Sequence, residues 1–277
     1  MSMNRRGGLN STALALIPLA IAINIAGGQL VKALRLPIYL DSIGTVLTGA
    51  LLGPWIGLIT GLLSNTIWTL IGLDQFALSF APVAGIIGLL AGLAGRAGFF
   101  QRSSPRWLSA IIGGVFLFAL TLFVMLFVNQ SVDDQGNTVL PTAGELFAQQ
   151  PIVFIVAILL GVAAGYFVLK NAGYAGLAGL VTGVVAAIVS APIAAYLFGG
   201  VTGAGTDALV AAFRASGAGI LASAFAQGTV SDPFDKMTSF MVVYLIVQSL
   251  PRRLLMRFPN ARAAEDSAPA TGSYASR

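Results

Sequence analysis

Cysteine and histidine are both missing from this chain of 277 residues. Without cysteine there are no disulfides, no thiolate metal sites and no cysteine nucleophile. Without histidine, Ser-His-Asp catalysis, imidazole zinc sites and histidine-ligated haem are excluded. Charge is scarce as well: 9% of residues are Asp, Glu, Lys or Arg, against roughly 25% in a soluble domain. The glycine-rich segment GGVTGAGTD, residues 199–207, lacks the Gly-Lys-Ser/Thr ending of a nucleotide-binding P-loop, and no such ending occurs elsewhere. ATP hydrolysis is therefore not expected of this chain.

Apolar residues make up 57% of the sequence, with 33 glycines among the remainder. Several apolar runs exceed 18 residues, the signature of a polytopic helical membrane protein. The ten-residue alternating strands of a membrane β-barrel do not occur. The net charge is +5, but the basic residues sit at segment ends, where the positive-inside rule puts them. No nucleic-acid partner is expected.

The segment from Thr12 to Val31 follows Arg5 and Arg6 and reads as a retained first helix, although its basic start and small residues Ala26-Gly27-Gly28 also resemble a secretory signal. Next comes LPIYLDSIGTVLTGALLGPWIGLITGLLSN, residues 36–65. Between Asp41 and Asp74 lie 32 residues without charge. One helix of that length would reach about 48 Å, against a hydrocarbon core of roughly 30 Å. Further apolar segments run over 76–95, 107–128, 151–169, 174–198 and about 236–250.

Charge decides how the long run is divided. With Arg5 and Arg6 inside, two short spans hinged at Gly53-Pro54 put Arg96, Arg102 and Arg106 inside and the acidic 129–149 loop outside. A single span would reverse both. The segment 207–227 carries Arg214 in its body, and a full crossing there would place the arginines at 252–262 outside. It reads instead as a re-entrant or surface helix. The expectation is an all-α polytopic membrane protein with about eight transmembrane helices and both termini cytoplasmic. Residues 1–258 form one transmembrane domain in this reading, and 259–277 a disordered cytoplasmic tail.

Small-xxx-small spacings recur at Gly49/Gly53, Gly57/Gly61, Gly161/Gly165 and Gly179/Gly183, and fit ordinary helix packing. Asp207 reads as a helix N-cap sharing a face with Arg214. Asp232 and Asp235 share a helix face that fits a divalent metal, and equally a helix start capped by Asp232 with Pro233 following. In the two-span topology the charges Lys32, Arg35, Asp41, Asp74, Asp207, Asp232, Asp235 and Lys236 gather on the outer side, with Gln29, Gln75, Tyr196 and Gln227. Asn65 and Trp68 lie one turn apart in the outer half of the third span. That concentration points to an outward-opening pocket lined by Asn65, Trp68, Asp74, Gln75, Tyr196, Arg214, Asp235 and Lys236, the alternative being an interfacial belt. Opposite charges in this set fit a zwitterionic or anionic ligand, with Trp68 or Tyr196 stacking on a ring.

The residues Pro37, Asp41, Leu51-Leu52-Gly53-Pro54, Gly57/Gly61 and Asn65 resemble the second and third helices of substrate-binding S components of energy-coupling factor (ECF) vitamin importers. The likeness covers about the first hundred residues well and the remainder loosely. It implies an expanded S-component bundle in the cell membrane that binds a vitamin-like molecule from outside. It also implies loops at 32–40 and 73–77 capping the pocket, and a transmembrane coupling subunit docked on Ala22 and Ala26. Two ATPase subunits would power delivery. No cofactor and no enzymatic activity are expected. The same helix pattern is similar to membrane sensor domains attached to signalling kinases. A solitary membrane sensor or scaffold without transport activity is the alternative, and a lipid-headgroup enzyme using Asp232 and Asp235 a third reading.

Overall fold

The computed structural model describes residues 11–34, 36, 38–134, 136 and 138–266. Arg5, Arg6, Arg35, Pro37 and the tail beyond residue 266 lie outside the described residues. Helices α1 (Ser11–Ala33), α2 (Ile43–Leu52) and α3 (Pro54–Leu70) lead through a 3₁₀ turn (Ala77–Phe80) into α4 (Ala81–Arg96) and α5 (Arg106–Val128). A two-residue antiparallel ribbon, β1 (Ser131–Val132) with β2 (Thr138–Val139), precedes α6 (Ala143–Gln149), α7 (Pro151–Phe167) and α8 (Gly173–Phe198). The chain continues through α9 (Asp207–Ala215), α10 (Ile220–Ser249), α11 (Arg252–Leu255) and α12 (Pro259–Asp266).

Four helical stretches are each long and apolar enough to cross a bilayer: Leu14–Ala33, Ala77–Arg96, Arg106–Val128 and Gly173–Phe198. The pair α6 and α7, bent by 95°, makes a fifth if taken as one broken span. The chain is thus an almost all-helical, multi-pass membrane protein. The remaining helices of the expected eight miss this mark individually. At 10 residues α2 is too short, and α10 carries Asp232, Asp235 and Lys236 in its middle.

The long apolar run does break into two helices at Gly53. Its φ of +107° is one that a side chain would strain. Pro54, with no N–H to satisfy, opens α3. The Gly53 amide closes α2 on the Gly49 carbonyl at 2.9 Å, and the Gly57 amide opens α3 on the Gly53 carbonyl at 2.9 Å. The two helices then fold back on each other. A Cβ placed on Gly57 would lie 2.7 Å from the Gly49 Cα and would strike the Gly88 carbonyl of α4. Three helices therefore meet where no side chain stands between their backbones.

The other glycine spacings also serve packing within the chain. Gly161 and Gly165 seat α7 on Gly113 and Ser109 of α5. Gly179 and Gly183 seat α8 on Met237 and Pro233 of α10. In lipid, where tails are as apolar as leucine, such backbone approach supplies dispersion contacts that hold helices together.

Three boundaries differ from those read in the sequence. The segment 207–227 is not one helix: α9 ends at Ala215, the chain turns through Gly217 at φ +93°, and α10 begins at Ile220. Leu209 and Ala212 of α9 are buried in an apolar cluster with Leu140 and Leu146 of the preceding segment, so neighbouring chain covers its apolar face. Next, Asp232 caps no helix start. The helix α10 runs unbroken past Pro233, and the Asp232 carboxylate accepts from Ser190 of α8 instead. Finally, Pro259–Asp266 is helical where the sequence suggests a disordered tail. Its Asn260 is buried and donates from Nδ2 to the Gly49 and Gly92 carbonyls, at 3.2 Å each.

Candidate functional site

Two neighbours on α10 organise one end of the bundle. The Asp235 carboxylate pairs with the Lys236 ammonium at 2.5 Å, and its other oxygen accepts from the backbone amides of Leu40 (2.8 Å) and Tyr39 (3.2 Å). The loop between α1 and α2 is thereby fastened to the middle of α10, 195 residues away in sequence. Leu40 takes a left-handed φ of +47°, a strained backbone that this anchor holds in place. Lys236 also donates to Ser42 Oγ at 3.2 Å, lies 3.6 Å from Asp41 Oδ1 and faces the Tyr39 ring at 5.6 Å. Tyr39 is bonded to Thr206 (3.0 Å) and receives a hydrogen bond from Gln227 (3.2 Å). Burial pushes its phenol well above the usual range, so it stays protonated.

Behind this latch lies a cavity of about 110 Å³ bordered by α3, α4, α8, α10 and the loops at 39–42 and 200–207. That is room for a small molecule rather than a single water. One side is apolar, with Phe80, Val83 and Ile87 of the 3₁₀ turn and α4. Polar groups border it from several elements. Asn65 (5% exposed) and Trp68 (4%) come from α3, and Asp232 (4%) comes from α10. The Asn65 amide makes no hydrogen bond among the described residues, and the buried Trp68 Nε1–H has no partner.

The eight pocket residues expected from the sequence separate into three groups. Asn65, Trp68 and Lys236 line the cavity, and Asp235 sits directly behind it holding Lys236. Asp74 is elsewhere: it pairs with Lys32 at 2.7 Å and accepts from the Phe76 amide at 2.9 Å, tying the end of α1 to the loop after α3. Gln75, Tyr196 (70% exposed) and Arg214 lie on the surface, away from the cavity. Asp207 and Arg214 form no pair; the Asp207 carboxylate instead accepts from the amides of Thr202 (2.9 Å) and Gly203 (2.7 Å) and from the Thr202 hydroxyl (2.8 Å). Ala22 and Ala26 are exposed on one face of α1.

Eight polar residues at the cavity were absent from that expectation: Tyr39, Asp41, Ser42, Ser190, Thr202, Asp207, Gln227 and Asp232. Asp232 carried a signal, being a carboxylate within an apolar stretch. Ser190 carried none, because a serine in a small-residue helix looks like packing. Asp235 is occupied by two amides and Lys236, and among the described residues no group of three or more acidic side chains is placed to hold a metal ion.

Set beside protein-family models, curated proteins and solved structures, the chain matches none of them. Its function has to be argued from the cavity.

Proposed function

We propose that this protein is the substrate-capture subunit of an ECF-type importer, taking a small vitamin-like molecule into the cavity from outside the cell membrane and passing it inward. The observation that carries this reading is Trp68: its buried indole N–H has no partner among the described residues, and the ring borders the cavity beside Asn65. A buried donor without a partner is costly, and a bound molecule that accepts from it removes that cost.

Orientation follows from charge. Gln248 donates to the Phe100 carbonyl at 2.8 Å, and the Gly173 amide to Ser104 at 2.9 Å, which brings the ends of α4, α8 and α10 together beside the Gly53 turn. The arginines at 96, 102 and 106, Lys170 and the arginines at 252, 253, 257 and 262 belong to this end. By the positive-inside rule it is cytoplasmic, and the cavity at the other end is external. The eight longer helices, with α2 and α3 as a hairpin, then act as an expanded S-component bundle. Ala22 and Ala26 offer a small-residue face to a transmembrane coupling subunit, and two ATPase subunits supply the energy that no motif in this chain supplies.

Native mass spectrometry of the protein extracted from its own membrane tests this directly. The expected result is one retained small molecule, together with a coupling subunit and two ATPases. Replacing Ala22 and Ala26 by Trp should remove the partner subunits and leave the small molecule bound. A protein that carries neither molecule nor partners would overturn the proposal, and one that carries the molecule alone would favour a solitary sensor.

A further inference from the structure

We propose that the cavity's ligand is a small organic cation that also bears a neutral hydrogen-bond acceptor. The inference rests on the capture reading above and names the class of molecule captured.

It comes from accounting for each charge around the cavity. Asp235 and Lys236 satisfy one another. Asp41 lies against the same ammonium at 3.6 Å. Asp207 is occupied by two amides and a hydroxyl of its own loop. Only Asp232 is left over. It borders the cavity, is 4% exposed, and has no ion pair among the described residues. Its contacts are the hydroxyls of Ser190 and Ser231, both at 3.4 Å, which is long for a hydrogen bond to a carboxylate. A buried carboxylate this poorly supplied calls for a cation, and the one ammonium bordering the cavity already serves two other carboxylates.

The α3 residues ask for something different. Trp68 presents a buried indole N–H without a partner, and the Asn65 amide beside it makes no hydrogen bond, among the described residues. An indole N–H can only donate, so its partner must be an acceptor. Both donors are neutral, so a carbonyl, hydroxyl or ring nitrogen suits them without adding a second negative charge beside Asp41 and Asp232. An anionic ligand would enter a cavity with surplus carboxylate and no uncommitted cation. Phe80, Val83 and Ile87 supply apolar surface for the hydrocarbon part. The lining therefore selects a positive charge for Asp232 and a hydrogen-bond acceptor for the α3 donors.

The test is thermal unfolding of the purified full chain, stripped of retained molecules, with a panel of small heteroaromatic ammonium compounds, each paired with its carboxylate analogue. At least one ammonium compound should raise Tm by about 5–10 °C at roughly 100 times its Kd, and its carboxylate partner should not. Asp232→Asn keeps the shape and should weaken that compound at least about 30-fold, while its own unliganded Tm shows that it folds. Trp68→Phe keeps the ring and should weaken it about fivefold. Stabilisation by the carboxylate members, undiminished binding to Asp232→Asn, or no response to any ammonium compound would each overturn the inference. A retained molecule that proves anionic by mass spectrometry sinks the cation assignment and leaves capture standing. No retained molecule and no responding probe would remove both.

Discussion

Asp235 and Lys236 are consecutive on α10, both buried, and paired with each other at 2.5 Å. Neighbours on a helix point about 100° apart, so only a shared, water-poor setting brings their charges together. The pair fixes the Tyr39–Leu40 loop through two amides. Asp235→Ala leaves a buried ammonium short of its closest counter-ion and two amides without an acceptor. We expect a loss of about 3–5 kcal/mol in stability. Asp235→Asn should fall between wild type and alanine, because its carbonyl still accepts from the loop. Thermal unfolding in detergent measures the order of the three; equal stability of all three would show that the latch contributes nothing.

Gly28 of α1 stands against the benzo edge of Trp68, so any side chain there collides with the ring. The ring, rather than backbone, is what must move. Gly28→Val should therefore leave the protein folded and displace Trp68 from the cavity wall. The expected readings are a shifted indole emission, taken in a background with Trp55 and Trp107 changed to Phe, and loss of bound small molecule. Unchanged emission and retention together would show that Trp68 is not held by this contact.

These two cases show how much of the molecule was readable from its sequence. The break at Gly53 was legible because Gly-Pro is a local signal and a 32-residue uncharged run exceeds one crossing. Asn65 and Trp68 were legible as polar and aromatic groups inside an apolar helix. The start of α10 was not. Asp232-Pro233 imitates a helix N-terminus, and only packing of Gly183 against Pro233 and of Gly228 against Ala187 shows the helix continuing through it. Arg214 and Tyr196 were placed in a pocket because depth along the chain was known and azimuth was not. Whether a residue faces the cavity or the outside depends on which helices are its neighbours, and that is a tertiary fact.

Asn24 joins three helices from the middle of α1. Its Nδ2 donates to Thr45 Oγ1 and Ser64 Oγ, each at 2.8 Å, and its Oδ1 accepts from the Gly44 amide at 2.7 Å. Gly44 is in the first turn of α2, whose own Ser42 makes no side-chain cap. Asn24 thus caps α2 from a neighbouring helix. Asn24→Leu, with the same side-chain branching, should cost at least about 2–3 kcal/mol by stranding the buried Gly44 N–H and two hydroxyls. Because none of these groups borders the cavity, ligand affinity of the folded fraction should be unchanged. Denaturant unfolding and a binding isotherm on the same sample separate the two effects.

Asn260 is the corresponding device at the opposite end. From α12 it reaches the carbonyls of Gly49 and Gly92, the two glycines that let α2 and α4 approach. Gly53 lies beside it, with a Cβ there only 3.4 Å from Asn260 Oδ1. Phe258 and Ala261 are buried in the same core cluster as Leu51 and Ala94. The chain after Pro259 therefore acts as a clasp on the α2–α3 turn. Ending the protein at Phe258 should lower stability by about 2–4 kcal/mol, through lost apolar burial and two lost hydrogen bonds. Asn260→Ala should account for about 1–2 kcal/mol of that. Ending it at Asp266 keeps the clasp and is the reference for the comparison. If truncation at Phe258 unfolds at the same temperature as truncation at Asp266, α12 holds nothing and the turn is stable by itself.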